Sequence, residues 1–421
     1  MLGEIAKMID GALSVQRQEL VTGVSINSLE ARPGELFFAL KGSHTDGHKF
    51  VPDALRRGAV AAVVQDSRPG LSVIRVRETL FALGELARNY RCGLRARTVG
   101  ITGTNGKTTV KNLVKAILSR KKRVIATDRN FNSLIGLPLT ILRASGDEDF
   151  LILEMGTNAP GEIRRLCDIA RPSVGIITNV GPGHLEGLNS VEGVRKEKMA
   201  LIDALPVEGI GLVGEGVHAR DRSNVMEFSS DMLESVTVTE SGSRFLVQGQ
   251  PFSTQLLGAG NIYNCLAAIC LTSQLGIDHL IQQSAIAEAE PERGRMAPLK
   301  VNGLLIIDDT YNANPVSVKA AADFMTCSER RKIMVLGDML ELGGQSRALH
   351  YEVGMYTKER IDMLLTHGSE AKLYEGRHFA DANSLCRFLI DEISGDELIL
   401  FKASRKLRFE LLMNRLIRLL R

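Results

Sequence analysis

Short apolar runs recur along the chain and predict buried β-strands. Two of them, at residues 36–40 and 59–64, lie in the first 80 residues. An apolar helical pattern follows from about Phe81 to Arg91. Further runs at 150–153 and 174–177 alternate with helical patterns. Alternation of this kind is typical of a mostly parallel sheet that helices cover on both faces.

The last part of the chain repeats this alternation after a distinct helix start. Strand patterns at 332–336, 363–366 and 397–401 alternate with helical ones. Asn314 and Pro315 are typical of an N-cap followed by the first helical position. Because no GxGxxG motif occurs there, a nicotinamide or flavin dinucleotide is not supported. This part therefore reads as a Rossmann-like domain without a dinucleotide fingerprint.

Together the patterns predict an α/β protein of about three domains, as the chain length also suggests. The first, residues 1–80, is expected to be a small α/β domain. The second, residues 81–296, is expected to hold a central P-loop-type parallel sheet. The third, residues 297–421, is the Rossmann-like domain.

Residues 99–109, Val-Gly-Ile-Thr-Gly-Thr-Asn-Gly-Lys-Thr-Thr, form a strand pattern that breaks into small residues. Glycines let backbone N–H groups face phosphate oxygens, Lys107 can reach the β- and γ-phosphates, and Thr108 can hold Mg²⁺. The strict Walker A spacing fails because Ile101 stands where the first glycine belongs. An amphipathic helical pattern follows, so a chance Gly/Thr-rich turn is the less favoured interpretation.

Polar residues follow two of the predicted strands. Glu154 comes directly after the run at 150–153, and Asn179 and His184 follow the run at 174–177. Ligands of open parallel sheets bind beyond the carboxyl ends of the strands, so Glu154 and His184 are candidates to face the nucleotide. Glu154 has the chemistry of a Mg²⁺ ligand. A lone loop histidine is as often an ordinary hydrogen-bonded residue as a functional one. The polar loop at 41–48 could bind a ligand, but ordinary connecting loops have the same composition.

The composition narrows the classes of partner. The 421 residues carry 52 Lys and Arg against 49 Asp and Glu, so charge indicates neither a nucleic acid nor an anionic membrane surface as partner. The six cysteines form no CxxC pair, which favours reduced thiols in a cytoplasmic protein. No apolar run of transmembrane length and no apolar leader occur, and a soluble cytosolic chain is expected.

With these motifs assembled, the chain resembles the Mur ligases over nearly its whole length. The most specific carriers are Tyr-Asn-Ala-Asn-Pro at 311–315 and Gly-Asp-Met-x-Glu-Leu-Gly at 337–343. The phosphate loop alone would also fit cyanophycin synthetase and folylpolyglutamate synthetase. The other segments that carry the resemblance are 33–40, 46–48, 100–109, 130–133, 135–140, 154–156, 178–179, 184–186 and 309–310.

The resemblance implies a cytoplasmic, monomeric, ATP-dependent amide ligase of peptidoglycan precursor synthesis. Its cofactors would be ATP and Mg²⁺. Its substrates would be UDP-N-acetylmuramoyl-tripeptide and D-alanyl-D-alanine, joined through an acyl phosphate. The first domain would bind the UDP end, the second ATP and the third the dipeptide. A ligase that adds a single amino acid, or a nucleotide-binding module without catalysis, stays open as an alternative.

The resemblance also implies roles for individual residues. The catalytic group would be Lys107, Lys198 and His184. The metal ligands would be Thr108, Glu154, His184 and a carbamylated Lys198. The nucleotide would be bound by Gly103, Thr104, Asn105, Gly106, Lys107, Thr108, Thr109, Asn261, Arg295, Asp309, Tyr311 and Asn312. The substrate would be bound by Ser28, Thr45, Asp46, Asn130, Asn132 and Ser133.

The chain departs from the family pattern at four places. Asn27-Ser28-Leu29 replaces Asp-Ser-Arg and loses a charge pair that helps to shape the UDP site. Met199-Ala200 replaces Gly-Glu, Gly260 replaces a histidine, and Ala403 replaces a glycine. None of these changes removes a phosphate-binding group or a primary metal ligand.

Overall fold

The structure is a computed structural model that describes residues 1–14, 19–42, 45–66, 68–128, 130–217 and 224–421. The first of its sheets lies at the start of the chain. Its strand order is β1-β5-β4-β3-β2, with β1 antiparallel and the others parallel. Strands β3 and β4 confirm the predicted runs. The elements are α1 (Leu2–Met8), β1 (Ala12–Leu13), β2 (Gly23–Ser25), β3 (Glu35–Phe38), α2 (Val51–Arg56), β4 (Ala61–Val64) and β5 (Val73–Arg75).

The second sheet is wholly parallel, in the order β11-β10-β9-β6-β8-β7. The strands predicted at 150–153 and 174–177 are confirmed as β8 and β9. The strands are β6 (Arg97–Thr102), β7 (Val124–Ala126), β8 (Phe150–Glu154), β9 (Val174–Ile177), β10 (Ile210–Gly214) and β11 (Val225–Phe228). The helices are α3 (Thr79–Gly93), α4 (Lys107–Leu118), α5 (Gly136–Leu142), α6 (Glu162–Ala170), α7 (Leu185–Leu188), α8 (Val191–Asp203), α9 (Ala259–Gln274) and α10 (His279–Ala287).

A small antiparallel sheet interrupts the alternation of strands and helices. It consists of β12 (Leu233–Thr239), β13 (Gly242–Val247) and β14 (Gln250–Thr254). Phe245 and Phe252 stack with ring centres 5.6 Å apart and pack into the core of the second sheet. Tight turns join these strands, so they pair antiparallel and not through crossover helices. The sequence pattern did not predict this sheet.

The last sheet has the order β15-β16-β20-β17-β18-β19, with β15 antiparallel and the others parallel. Its strands are β15 (Ala297–Val301), β16 (Leu304–Asp309), β17 (Arg331–Leu336), β18 (Met363–Thr366), β19 (Arg377–His378) and β20 (Glu397–Lys402). Its helices are α11 (Pro315–Met325), α12 (Ser346–Lys358), α13 (Ala382–Glu392) and α14 (Glu410–Leu420). Short 3₁₀ helices cover Gly47–Phe50, Ser230–Met232, Gly343–Gln345, Ala371–Tyr374 and Arg405–Leu407.

The predicted α/β class is confirmed, whereas the domain limits stay a prediction. The limit placed at residue 80 falls inside α3, whose Leu83 and Leu86 pack with the first sheet while Ala87 packs with the second. None of the helices in the described ranges combines the length and the apolar character needed to cross a membrane.

Candidate functional site

The site begins where β6 ends and α4 starts. Two glycines make this turn possible: Gly103 has φ 151° and Gly106, the N-cap of α4, has φ 80°. A Cβ on Gly103 would collide with Thr178 Oγ1, and one on Gly106 would collide with Asn264 Oδ1. The predicted strand–loop–helix unit is therefore present, with its loop pressed closely against neighbouring polar side chains.

Residues after β9 and before α11 hold Asn105 of the phosphate loop. Asn179 Oδ1 accepts the Asn105 backbone N–H at 2.9 Å, and Thr178 Oγ1 donates to the Asn105 carbonyl at 2.6 Å. From the last sheet, Asn314 Nδ2 donates to Asn105 Oδ1 at 2.7 Å. The same Asn314 caps α11, as predicted, by accepting the Ser317 N–H. One loop residue thus links two sheets.

Lys107 folds back over its own loop. Its Nζ donates to the Gly103 carbonyl at 2.7 Å and to the Thr104 carbonyl at 3.2 Å. Burial lowers the pKa of Lys107, while the carboxylate of Glu154 acts in the opposite direction. The half-buried ammonium lies beside the α4 N-terminus, where anionic phosphate oxygens are favoured.

Glu154, the last residue of β8, is 2% exposed and faces the same space. Its Oε1 accepts from Asn132 Nδ2 at 2.9 Å. Its Oε2 is buried and has no hydrogen-bond partner in the described part of the chain. A buried carboxylate oxygen without a partner is costly unless a cation or donor reaches it. This oxygen fits the ligand chemistry of Mg²⁺.

The described residues contain no group of three or more His, Cys, Asp or Glu side chains that would hold a metal by themselves. Mg²⁺ differs from zinc in this respect, because it usually takes one or two carboxylates and completes its shell with phosphate oxygens and water. Glu154 and the Thr108 hydroxyl match that pattern. The donor set therefore fits a magnesium ion that arrives with a nucleotide.

His184 lies at the N-terminus of α7 and lines the cavity. Its Nδ1 lies 2.9 Å from Glu341 Oε2, at an angle outside hydrogen-bond geometry. Lys198, on α8, is 1% exposed and does not line the cavity. Burial holds the pKa of Lys198 well below its ordinary value, and the charge of Lys107 adds to this effect. Both effects favour the neutral amine more than they would in an exposed lysine.

The opposite wall carries the residues predicted to bind nucleotide. Arg295 lies over the Tyr311 ring, 4.0 Å from its centre, and its Nη2 donates to Thr108 Oγ1 at 2.9 Å. Asp309 Oδ2 accepts from Lys402 Nζ at 2.5 Å. The Asn261 amide already donates to the Leu257 carbonyl at 2.9 Å. The guanidinium and Tyr311 leave a charged and an aromatic surface for a nucleotide.

These groups surround one cavity of about 650 Å³ between the second and the last sheet. A cavity of this size suits a ligand as large as a nucleotide. The predicted residues that line it are Thr104, Asn105, Gly106, Lys107, Thr108, Thr109, Asn132, Ser133, Glu154, His184, Asn261, Arg295, Asp309, Tyr311 and Asn312. Gly103 supports it through the carbonyl that Lys107 contacts.

Some predicted site residues lie elsewhere. Asn130 is exposed and Lys198 is buried, and neither side chain lines the cavity. Ser28, Thr45 and Asp46 belong to the part of the chain that forms the first sheet, where Ser28 is buried and Thr45 exposed. Asp46 Oδ1 accepts from the His48 backbone at 3.0 Å and lies 2.7 Å from His48 Nδ1. Ser43 and His44 of the predicted polar loop lie outside the described residues.

Family models cover most of the chain. The Mur ligase family catalytic domain matches residues 20–91, the Mur ligase middle domain 101–272, and the Mur ligase glutamate ligase domain 294–405. A UDP-N-acetylmuramoyl-tripeptide--D-alanyl-D-alanine ligase of Bacillus subtilis (strain 168) is 34% identical over 96% of both chains. This chain belongs to the Mur ligase family. The ligase class predicted from the motifs is thereby confirmed.

Other Mur ligases agree in sequence and in structure. A relative of the same name from Escherichia coli (strain K12) is 33% identical over 97% of this chain and 96% of its own. The crystal structure of MurF from Acinetobacter baumannii matches with a TM-score of 0.93 and 25% sequence identity, and the match covers 99% of this chain and 98% of that one. MurF of Thermotoga maritima, solved in complex with ADP, has a TM-score of 0.88, 29% identity, and 96% and 99% coverage. The overall fold of this chain is thus that of the Mur ligases.

Sequence reasoning missed several residues of this Mur ligase site. Lys402 pairs with Asp309, Asn264 contacts Asn261 and lines the cavity, and Glu341 contacts His184. Asn314 was predicted only as a helix cap. Asn314 and Glu341 lie in the motifs at 311–315 and 337–343, which are the sequence signals that could have pointed to a role for each in the site.

Proposed function

We propose that this protein is the cytoplasmic, ATP-dependent amide ligase that joins D-alanyl-D-alanine to UDP-N-acetylmuramoyl-tripeptide in peptidoglycan precursor synthesis. The observation that carries the proposal is the cavity in which the phosphate loop faces Arg295, Asp309 and Tyr311 of the last sheet. A pure nucleotide switch does not need a second wall of this kind. The activity for which the near-full-length relatives are named supports the choice of substrates.

Each part of the cavity has a task in this reaction. ATP transfers its γ-phosphoryl group to the terminal carboxylate of the tripeptide, and the amine of the dipeptide then displaces phosphate from the acyl phosphate. Lys107 and the backbone N–H groups at the start of α4 neutralise charge on the moving phosphoryl group. Arg295 holds a phosphate, and Tyr311, Asn312 and Asn261 flank the nucleotide.

Thr108 and Glu154 would hold one Mg²⁺, and His184 with a carbamylated Lys198 would serve a second. The bound ions supply charge neutralisation between two anions that must approach each other. Carbamylation converts the Lys198 ammonium into an anion with two oxygens. Its depressed pKa supports this assignment, because a neutral amine is the form that reacts with CO₂.

The remaining roles concern the acceptor substrate. Ser28, Thr45 and Asp46 would bind the UDP end in the predicted first domain. Asn132 and Ser133, at the cavity wall, would approach the acyl phosphate together with Asn130. The three predicted domains would act within a monomer.

The test measures the release of phosphate from ATP, in the presence of Mg²⁺, with a panel of UDP-muramoyl peptides. Each peptide is offered D-alanyl-D-alanine, a single amino acid or no amine, and the product is weighed by mass spectrometry. We expect amine-dependent release only with the tripeptide and the dipeptide. Product with a single amino acid would indicate another Mur ligase activity, and nucleotide binding without any product would indicate a binding module. The Lys107→Ala protein is the control for contaminating ATPases.

A further inference from the structure

The segment at 337–343 is a strong sequence motif, yet the proposed reaction uses none of its residues. Asp338 is explained by the fold alone. Its carboxylate is buried and accepts backbone N–H groups from Glu370 at 2.9 Å and Ala371 at 2.7 Å, and from Ser369 at 3.2 Å. It anchors the loop after β18 and has no free edge for a ligand. Glu341 is the charged residue of the motif that still needs an explanation.

Contacts within the last sheet and its helices fix the backbone on both sides of Glu341. The Met339 N–H donates to His350 Nε2 at 3.0 Å, and the Leu340 N–H donates to Ser404 Oγ at 2.8 Å. Leu342 is buried in the core of the last sheet. Between these anchors Glu341 adopts φ 65°, a left-handed conformation that costs free energy for a residue with a Cβ. The last sheet thus presents Glu341 at a defined place.

The surface that Glu341 meets belongs to the second sheet and is equally strained. His184 has φ 58° and starts α7. The Glu186 N–H donates to the Glu341 carbonyl at 3.1 Å, and the Glu341 carboxylate lies 2.9 Å from His184 Nδ1. Leu349 of α12 packs beside this contact against the apolar cluster that contains Leu185. A backbone hydrogen bond, a carboxylate–imidazole contact and apolar packing therefore coincide at one point between the two sheets.

We propose that Glu341 is a positioning residue that fixes His184 only when the last sheet and its helices close over the phosphate loop. His184 lines the cavity, whereas Glu341 does not, so Glu341 acts through His184. Left-handed backbone at both partners is maintained by the contact, in keeping with strain that collects at functional sites. Without the carboxylate, His184 loses its partner and the closed arrangement loses a contact between the two sheet units. This inference rests on the proposed function, which makes His184 a site residue.

The variants are chosen so that the fold is kept. Glu341→Gly removes the carboxylate at a backbone conformation that glycine adopts readily. Glu341→Gln keeps the length of the side chain and a hydrogen-bond acceptor without the charge. Glu359→Gln is the matched control, because Glu359 ends α12 of the same sheet unit and pairs only with the adjacent Arg360 among the described residues. Thermal unfolding of each variant reports any loss of the fold.

Two measurements separate positioning from simple stabilisation. The first is the distance between spin labels on Val207→Cys and Leu419→Cys, two exposed sites on the two sheet units, with ADP and Mg²⁺ bound. The background is Cys92→Ser with Cys327→Ser, because these two native thiols are not buried. The second is a comparison of how much each variant changes kcat and how much it changes KM for ATP. Loss of the Glu341–His184 contact is expected to shift the equilibrium between the closed and the open arrangement of the two sheet units about tenfold.

We expect the wild type and Glu359→Gln to share one short distance. Glu341→Gly should add a longer-distance population and lower kcat about tenfold with KM for ATP within about twofold, and Glu341→Gln should lie between them. Unchanged distances in folded Glu341→Gly protein, with or without a loss of rate, would overturn the proposal. The distance measurement needs nucleotide but no ligase activity, so a failure of the proposed reaction would appear separately.

Discussion

The ion pair between Asp309 and Lys402 allows a quantitative test of how the nucleotide wall is held. Strands β16 and β20 align these residues directly opposite each other. The Nζ–Oδ2 distance is 2.5 Å, and the side chains are 3% exposed for Lys402 and 12% for Asp309. Lys402 also donates to the Asn312 carbonyl at 3.0 Å. The cation thus holds both a carboxylate and the loop that follows it.

Lys402→Met is the perturbation. At an effective dielectric constant of 20, charges at 2.5 Å attract by about 7 kcal/mol, but burying each ion costs several kcal/mol. The net value of the pair is therefore small. Removing one partner is different, because Asp309 then keeps only the Met296 N–H, at 3.2 Å, as a donor among the described residues. We expect a loss of about 3–5 kcal/mol, as for other buried pairs broken on one side.

The assay is native-state hydrogen exchange of peptides from β16 and β20, because a chain with several cores does not unfold in one step. Lys332→Met is the matched control. Lys332 lies on β17 of the same sheet and pairs with Asp362 at 3.7 Å, with side chains 20% and 49% exposed. Its loss should stay below about 1 kcal/mol. A similar small loss for Lys402→Met would refute the reasoning.

A double variant checks the source of the effect. Lys402→Met combined with Asp309→Leu removes both charges together. Most of the lost stability should return, because no buried charge is then left without its partner. A double variant as unstable as Lys402→Met alone would mean that packing, not charge, explains the loss.

Three further predictions concern the reacting groups and the thiols. Lys107→Ala should lower the ligation rate by about 10²-fold or more, and a rate within a few-fold of wild type would contradict the loop assignment. Lys198→Ala should lose most activity and regain part of it with acetate; a nearly active variant, or no effect of CO₂ removal on the wild type, would remove Lys198 from the metal site. Burial raises the pKa of Cys265 to about 12, so its thiol stays protonated at pH 8. In an alkylation experiment on the native protein, exposed Cys92 should therefore react before Cys265. Equal alkylation of the two thiols would contradict this packing.

Local patterns predicted much of the architecture. Strand β9 has the predicted limits, α11 starts at the predicted Asn314–Pro315 cap, and the phosphate loop joins β6 to α4. These features depend on side-chain periodicity, caps and glycine conformations, which act within a few residues. The sheet of β12 to β14 was not predicted, because its first strand is mostly exposed and carries little hydrophobic signal.

The sequence by itself determined the α/β class, the phosphate loop, Glu154 at a strand end and, through its motifs, the Mur ligase family. Only the tertiary structure decided which distant side chains meet. Asn105 contacts Asn314, Asp309 contacts Lys402, and His184 contacts Glu341. The members of each pair are separated by 93 residues or more, as the 93-residue separation of Asp309 and Lys402 illustrates. Periodicity describes one element at a time, whereas these contacts depend on strand order and on how one sheet faces another.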